Sequence, residues 1–391
     1  MSSSGSDLSP SFTREPRRPV PSRGTWAVLI RDVLPLYLIT RFLIFVVGRL
    51  SVFVIIKGKD YGQVHGILDL FYRWDGRWFM SVVNNGYVYT PGRHLSNVVF
   101  FPLYPLLIKV TTFVVRDLKI AGFLISNIAL IAALVFLVKL IRLDYPGSDI
   151  AGRAVRFALV FPASLYFSVV YSEGLFLALA AGCLYYARLR KWAPASILGG
   201  LLALTRSLWV LVFIPLLIEY LDIDWGRFRL SLRKIRPDIL WLLLVPAGLL
   251  SYMTFLYLKF GDPLLFLKAH AQWGRKIAPI WSTVQSYKHF PNFYRVVFIA
   301  TLVVFLALIV YGFLLRLRLS YFSFILANFA IIMSSALIEA IPRYLAAVVP
   351  IYLVLALAAM KSKFFDEAWT FLSWAFLVVF TILYVNGYWM T

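Results

Sequence analysis

Residues 119–141, KIAGFLISNIALIAALVFLVKLI, read as one uninterrupted apolar helix. The run is as long as the roughly 20 residues that cross the hydrocarbon core of a bilayer. It is one of many such runs. Of the 391 residues, 61% are hydrophobic and only 15% are charged, and the mean hydropathy is +0.81. Soluble domains carry roughly 25% charged residues. Short segments of alternating hydrophobicity, the mark of a transmembrane barrel, are absent. The expected fold class is therefore an all-α polytopic membrane protein.

Working outward, apolar segments are expected at 33–56, 98–115, 157–191, 195–221, 239–259, 296–315, 320–338, 344–360 and 367–388, about 9–11 transmembrane or re-entrant helices in all. Arg41 and Arg49 fall inside the first, so one side of that helix should face protein or water. Residues 1–25 are rich in Ser, Pro and Arg and are expected to form a disordered, basic cytoplasmic tail. The remainder, 26–391, should be a single transmembrane domain with two long outer loops, 57–97 and 260–294. The second loop has the amphipathic pattern of an interface helix, in which Trp273 and Trp281 read as headgroup anchors, and Lys268 and His270 as facing headgroups or solvent. No hydrophobic block recurs with its motif, which weighs against a transporter built from inverted repeats.

The chain has 39 Lys+Arg against 18 Asp+Glu, a formal net charge of +21. In a soluble protein that excess would suggest nucleic acid. Here it lies mostly in short loops between apolar spans, as the positive-inside rule expects, so no nucleic-acid partner is predicted. That rule also bears on topology. Full spans at 98–115 and 195–221 would put the basic loops Lys139–Arg156 and Arg188–Lys191 outside. Broken or re-entrant helices there return both loops to the cytoplasm. They also bring Glu173 and Arg206 to the outer side, and this is the favoured arrangement. Cys183 is the sole cysteine, which excludes an internal disulfide and a cysteine metal site. The four histidines lack metal-ligand spacing.

The chemistry starts from LDLFYRWDGRWFMSVVNN (Leu68–Asn85). Read as one helix, it places Asp75 on the arc of Phe71, Trp74 and Trp78, while Arg73 and Arg77 point elsewhere. Asn84-Asn85-Gly86 suits a helix C-cap. Glu173 sits where two helices of the 157–191 block meet, with Ser172 as a candidate N-cap. Arg206 interrupts apolar sequence, and Arg343-Tyr344 lies in a short outer turn. Carboxylates and arginines in an apolar shell suit group transfer from a phosphate to an alcohol: an arginine pair holds the phosphate and a carboxylate accepts the hydroxyl proton. The competing assignments are structural, with Arg206 pairing to Glu173 and Arg343 to Glu339 at i, i+4. Asp69 and Asp75 lie on different helical faces and make a poor metal site, so no metal or cofactor is predicted. A transporter or flippase of a lipid-linked substrate is the alternative class, and a catalytically silent partner of another transferase a third.

RWDGRWF (73–79) with NGY (85–87) resembles the first lumenal loop of the PIG-V-type GPI mannosyltransferases. FFPLYPLL (100–107) and FPASLYFSVVYSEGLF (161–176) resemble the elements that follow there, and LTR (204–206), GDPLLF (261–266) and PRYLAAVVP (342–350) resemble elements of bacterial relatives. The resemblance implies the GT-C glycosyltransferase architecture with a catalytic first outer loop. It implies inverting transfer of a sugar, expected to be mannose, from a polyprenyl- or dolichyl-phosphate donor. Asp75 then inherits the role of catalytic base. Arg206 and Arg343 are expected at the donor phosphate, with Trp74, Arg77, Glu173 and Tyr344 supporting. The acceptor would be a glycolipid, glycan or protein hydroxyl. The site is expected to face outward from the plasma membrane of a prokaryote or into the endoplasmic reticulum of a eukaryote. Gly76, Asn85 and the run LTRSLW depart from the family pattern and leave the acceptor and the sugar open.

Overall fold

A computed structural model describes residues 25–62, 64–92, 95–226, 236–337 and 339–389. The expected tail, residues 1–24 of it, lies outside the described residues. The described chain is helical, with an isolated bridge between Ile277 and Ser335.

Five helices are long and apolar enough to cross a membrane. In chain order the elements used below are α1 (Trp26–Val54), α2 (Asp75–Asn85), α3 (Leu103–Val115), α4 (Leu118–Asp144), α5 (Ile150–Val160), α6 (Glu173–Arg188), α7 (Trp192–Ala203), α8 (Phe213–Leu221), α9 (Pro237–Phe260), α10 (Leu265–Gln272), α11 (Ile280–Gln285), α12 (Asn292–Leu314), α13 (Leu319–Met333), α14 (Ile341–Ala346), α15 (Val349–Lys361) and α16 (Lys363–Val385). The five long ones are α1, α4, α9, α12 and α16.

The shorter helices are too short to span alone, and they work in pairs. Residues 195–221 break at Leu204–Arg206, so α7 and α8 form a hairpin whose two ends return to one side. Arg188 at the end of α6 reaches Glu219 at the end of α8, 3.2 Å away. Residues 157–191 break likewise: α5 stops at Val160 and α6 begins at Glu173. α3 doubles back on α4, with Tyr104 bonded to Gly122 O at 3.1 Å and to Ser126 Oγ at 2.7 Å.

Ion pairs at one end of the bundle show which helix ends lie together. Asp32 pairs with Arg142, Asp366 with Arg153 and Arg156, and Asp144 with Arg188. Glu219 accepts from Arg318 Nε and Nη2, both at 2.8 Å, and from Ser320 Oγ at 2.7 Å. The basic loops after α4 and α6 thus share one end, as the broken-helix arrangement requires.

A helix broken inside the bundle frees backbone groups that have no water to satisfy them. Arg41 of α1 answers most of that demand at the α5–α6 break. Its Nη2 donates to Leu159 O at 2.7 Å, and its Nη1 to Ser164 O at 2.9 Å and Ser168 Oγ at 3.0 Å. Asn127 Nδ2 donates to Ser168 O at 2.9 Å and Ser126 Oγ to Tyr171 O at 3.0 Å. The expectation that α1 packs a charged side on protein holds at Arg41. Arg49 instead remains exposed, lying 4.7 Å above the Phe53 ring.

α7 and α9 meet backbone to backbone. A Cβ built on Gly248 would lie 2.2 Å from Gly200 O, so only glycine fits at that crossing, the small-residue contact common between membrane helices.

Replacing Arg41 should expose its role directly. Arg41→Met strands several carbonyls and hydroxyls at the break, each costing about 1–3 kcal/mol. A clear fall in the unfolding temperature of the detergent-solubilised protein is the expected outcome, whereas Arg49→Met should leave it nearly unchanged.

Candidate functional site

At the end of the bundle away from the Glu219 cluster, the helix breaks converge on a cavity of about 540 Å³. That volume lies within the range of ordinary small-molecule sites. Asp75, Ser172, Thr205, Arg206, His270, Trp273, Arg275, Lys276, Glu339, Arg343 and Tyr344 line its polar side. Phe79, Phe100, Trp209, Ile277, Ile331, Ile332 and Leu337 line the rest.

Asp75 is presented by a kink, and here the structure corrects the sequence reading. Leu68–Asn85 is not one helix: a 3₁₀ turn, Ile67–Phe71, ends before α2 begins at Asp75. Between them Trp74 adopts φ +42°, a region seldom occupied by a bulky side chain. The reversal sets Asp75 at the first position of α2, where the partial positive charge of the helix N-terminus favours a carboxylate. Arg73, directed away, is buried and donates to Tyr61 O at 2.6 Å and Val385 O at 2.8 Å. The expected C-cap is present, with Gly86 at φ +70°.

Glu173 occupies the first position of α6 and is fully buried. Ser172 stands at the N-cap, as expected, but its hydroxyl makes no capping bond. Arg206 sits at the α7–α8 break in extended conformation, and Arg343 in α14. Arg343 Nη1 bonds Asp75 Oδ2 at 2.5 Å, while its Nε lies 3.1 Å from Glu173 Oε1. Arg206 Nη2 pairs with the same Glu173 oxygen. Four of the sequence-selected residues thus form one chain of contacts, Asp75–Arg343–Glu173–Arg206. The Arg206–Glu173 pairing raised as a structural alternative is present. The Arg343–Glu339 pairing is not, because Glu339 is bound by Arg275 Nη2 at 3.0 Å.

Tyr344, also selected, anchors this network by its ring. Arg206 and Arg343 each lie 5.2 Å from its centroid and Arg275 lies 5.6 Å away, a cation–π arrangement of three guanidiniums. Arg275 also donates to its hydroxyl. Burial opposes ionisation of the phenol, but the charges of Arg275, Arg343 and Arg206 outweigh it and hold the Tyr344 pKa below the ordinary value.

Two selected residues, Trp74 and Arg77, join neither the cavity lining nor this network. Trp74 packs edge-on against Tyr384 at 4.9 Å. Arg77 is exposed and approaches the loop at Gly62.

The second loop is the part the sequence misread. It is a chain of short elements, α10, α11 and a 3₁₀ turn at Ser286–His289, in place of one interfacial helix. Trp273 is a cavity wall and not a headgroup anchor: its ring packs on Trp78 at 5.0 Å and Phe100 at 5.6 Å, and Nε1 donates to Ser96 O at 3.2 Å. Trp281 is 69% exposed, as an anchor would be. Lys268 is exposed and pairs with Asp262, whereas His270 turns into the cavity. Arg275 follows Gly274, whose φ of +73° turns the chain back toward α14. The signal available in the sequence was that turn, Trp273-Gly274-Arg275, on the same outer side as the acid Glu339. Among the described residues no three His, Cys, Asp or Glu side chains are grouped as a metal ion would need.

Burial and the charge of Arg275 push the His270 imidazole down to about 4. The folded state therefore binds fewer protons than the unfolded state between pH 6.5 and 4. Stability should be complete above pH 6.5 and fall as pH drops through that window. His270→Gln should flatten the decline in thermal-unfolding scans from pH 7 to pH 4.

Comparison with known proteins adds one match. A family model described as Mannosyltransferase (PIG-V) matches residues 61–258. No curated protein matches the chain. The matched segment contains Asp75, Glu173 and Arg206, while Arg275, Glu339, Arg343 and Tyr344, which complete the cavity, lie beyond it.

Proposed function

The chain belongs to the Mannosyltransferase (PIG-V) family, and from that premise we propose that it transfers a sugar, mannose, from a polyprenyl- or dolichyl-phosphate donor to an acceptor hydroxyl, with inversion at the anomeric carbon. It is a membrane glycosyltransferase, and its five long apolar helices make it an integral membrane protein. The observation that carries the finer reading is the convergence of Asp75, Arg206 and Arg343 on one cavity with an apolar wall.

Asp75 serves as general base. As the acceptor oxygen attacks the anomeric carbon, its proton passes to the carboxylate, and the bond from that carbon to the phosphate oxygen breaks. The lipid monophosphate departs with the bonding electrons. Arg206 and Arg343 donate to its oxygens, in a cavity that excludes much of the water that would otherwise screen them. Arg343 Nη1 also lies 2.5 Å from Asp75 Oδ2, so one guanidinium links the base to the phosphate site. A donor phosphate that draws the Arg343 Nη atoms toward itself frees Asp75 Oδ2 to accept the hydroxyl proton.

The positive-inside rule supports an outward-facing site, because the basic loops gather at the opposite end. Nucleotide sugars are not available there, and a lipid-borne donor answers that need. The apolar wall of Ile331, Ile332 and Leu337 suits its chain. The acceptor is a glycolipid, glycan or protein hydroxyl.

The test is transfer by the full-length protein in nanodiscs supplied with polyprenyl-phosphate mannose and candidate acceptors. Asp75→Asn should lower kcat by about 10²-fold or more, the scale of a lost general base, with an unchanged unfolding temperature. Full activity in that variant would remove Asp75 from the role. Movement of an intact glycolipid across the bilayer without transfer would favour a flippase.

A further inference from the structure

Three guanidiniums and three carboxylates make up the ion network at the cavity. Glu173 takes Arg206 and Arg343, Asp75 takes Arg343, and Glu339 takes Arg275. Every guanidinium is therefore already committed to an acid. Lys276 also lines the cavity, yet its ammonium has no ion pair or hydrogen bond to any described residue. Four cations against three carboxylates leave a surplus of one positive charge, and Lys276 carries it. His270 adds none at neutral pH, since its imidazole pKa lies near 4.

The main chain at Lys276 is held although its side chain is free. Lys276 O accepts from Ala336 N at 2.9 Å, Ala278 N donates to Ser334 O at 2.8 Å, and Ile277 bridges Ser335. These contacts stitch the second outer loop to the segment that leads into α14, so Lys276 keeps its place relative to Arg343 and Tyr344. Its neighbour Ile277 is 86% exposed and lines the same cavity with Ile331, Ile332 and Leu337.

We infer that Lys276 is the principal counter-charge for a lipid-linked phosphodiester, its ammonium bonded to a non-bridging phosphate oxygen where the apolar wall begins. The inference rests on the donor reading above and adds a residue to it. A sugar–phosphate–lipid diester carries one negative charge, which matches the surplus; the paired arginines supply directed hydrogen bonds without net charge. When the sugar–oxygen bond breaks, the phosphate gains a second negative charge, and Lys276 is the cation free to move toward it.

The experiment measures steady-state transfer from polyprenyl-phosphate mannose by wild type, Lys276→Met and Lys276→Arg, each in zwitterionic and in anionic nanodiscs. Lys276→Met should raise donor KM about tenfold or more, the scale of one charged hydrogen bond. Acceptor KM should stay unchanged and Lys276→Arg should recover most of the loss, in both lipid mixtures. Unchanged donor KM in Lys276→Met would overturn the assignment. So would an effect confined to anionic nanodiscs, which would make Lys276 a headgroup contact. Because its side chain is exposed and unbonded, unfolding temperatures should agree across the three proteins; a large fall in Lys276→Met would count as a structural role and against the inference. Absence of transfer in wild type would instead defeat the donor reading, so the two failures are distinct.

Discussion

The whole arrangement depends on one buried carboxylate. Glu173 is shut off from solvent at the start of α6, and a charge so placed is tolerated only when it is paired. Its partners, Arg206 and Arg343, come from the α7–α8 break and from α14, segments far apart in the chain. Three interruptions of helix are thereby tied at one point. Asp75, contributed by a fourth, is attached to the same knot through Arg343.

Breaking helices within an apolar bundle is costly because each break exposes backbone donors and acceptors. The chain meets that cost with polar side chains from intact neighbours. Arg41 of α1 and Ser126 and Asn127 of α4 bind the carbonyls between α5 and α6. The long helices thus act as scaffold and the broken ones as presenters of reactive groups. Charge is partitioned along the same axis. Acids at the basic end clamp arginines to one another, whereas at the cavity each acid–arginine pair borders open space.

Much of this was legible from residue order. Unbroken apolar runs marked the spans, and the demand that basic loops share one side selected the hairpin reading of 195–221 over a full crossing. Asp75, Glu173, Arg206, Arg343 and Tyr344 stood out because each is polar where its surroundings are not. The second outer loop was less legible. Its tryptophans and charges fit an interfacial helix as well as a cavity wall, because both environments favour amphipathic sequence. Trp273, His270 and Arg275 were therefore misplaced or overlooked. Trp74 and Arg77 adjoin Asp75 in sequence, but the kink at Trp74 keeps them out of the cavity lining.

Residue order settles that the chain is helical and membrane-embedded, since transfer of apolar surface and satisfaction of the backbone are local demands that each segment states alone. It also marked which polar residues sit at a cost. Which acid meets which arginine is settled by the packing of distant segments. Arg343 has Glu339 within reach along the chain, yet it pairs with Asp75 and Glu173 because packing of α14 against the α5–α6 break sets the distances. Pairing of charges across 100 or more residues is a property of packing, and no local pattern encodes it.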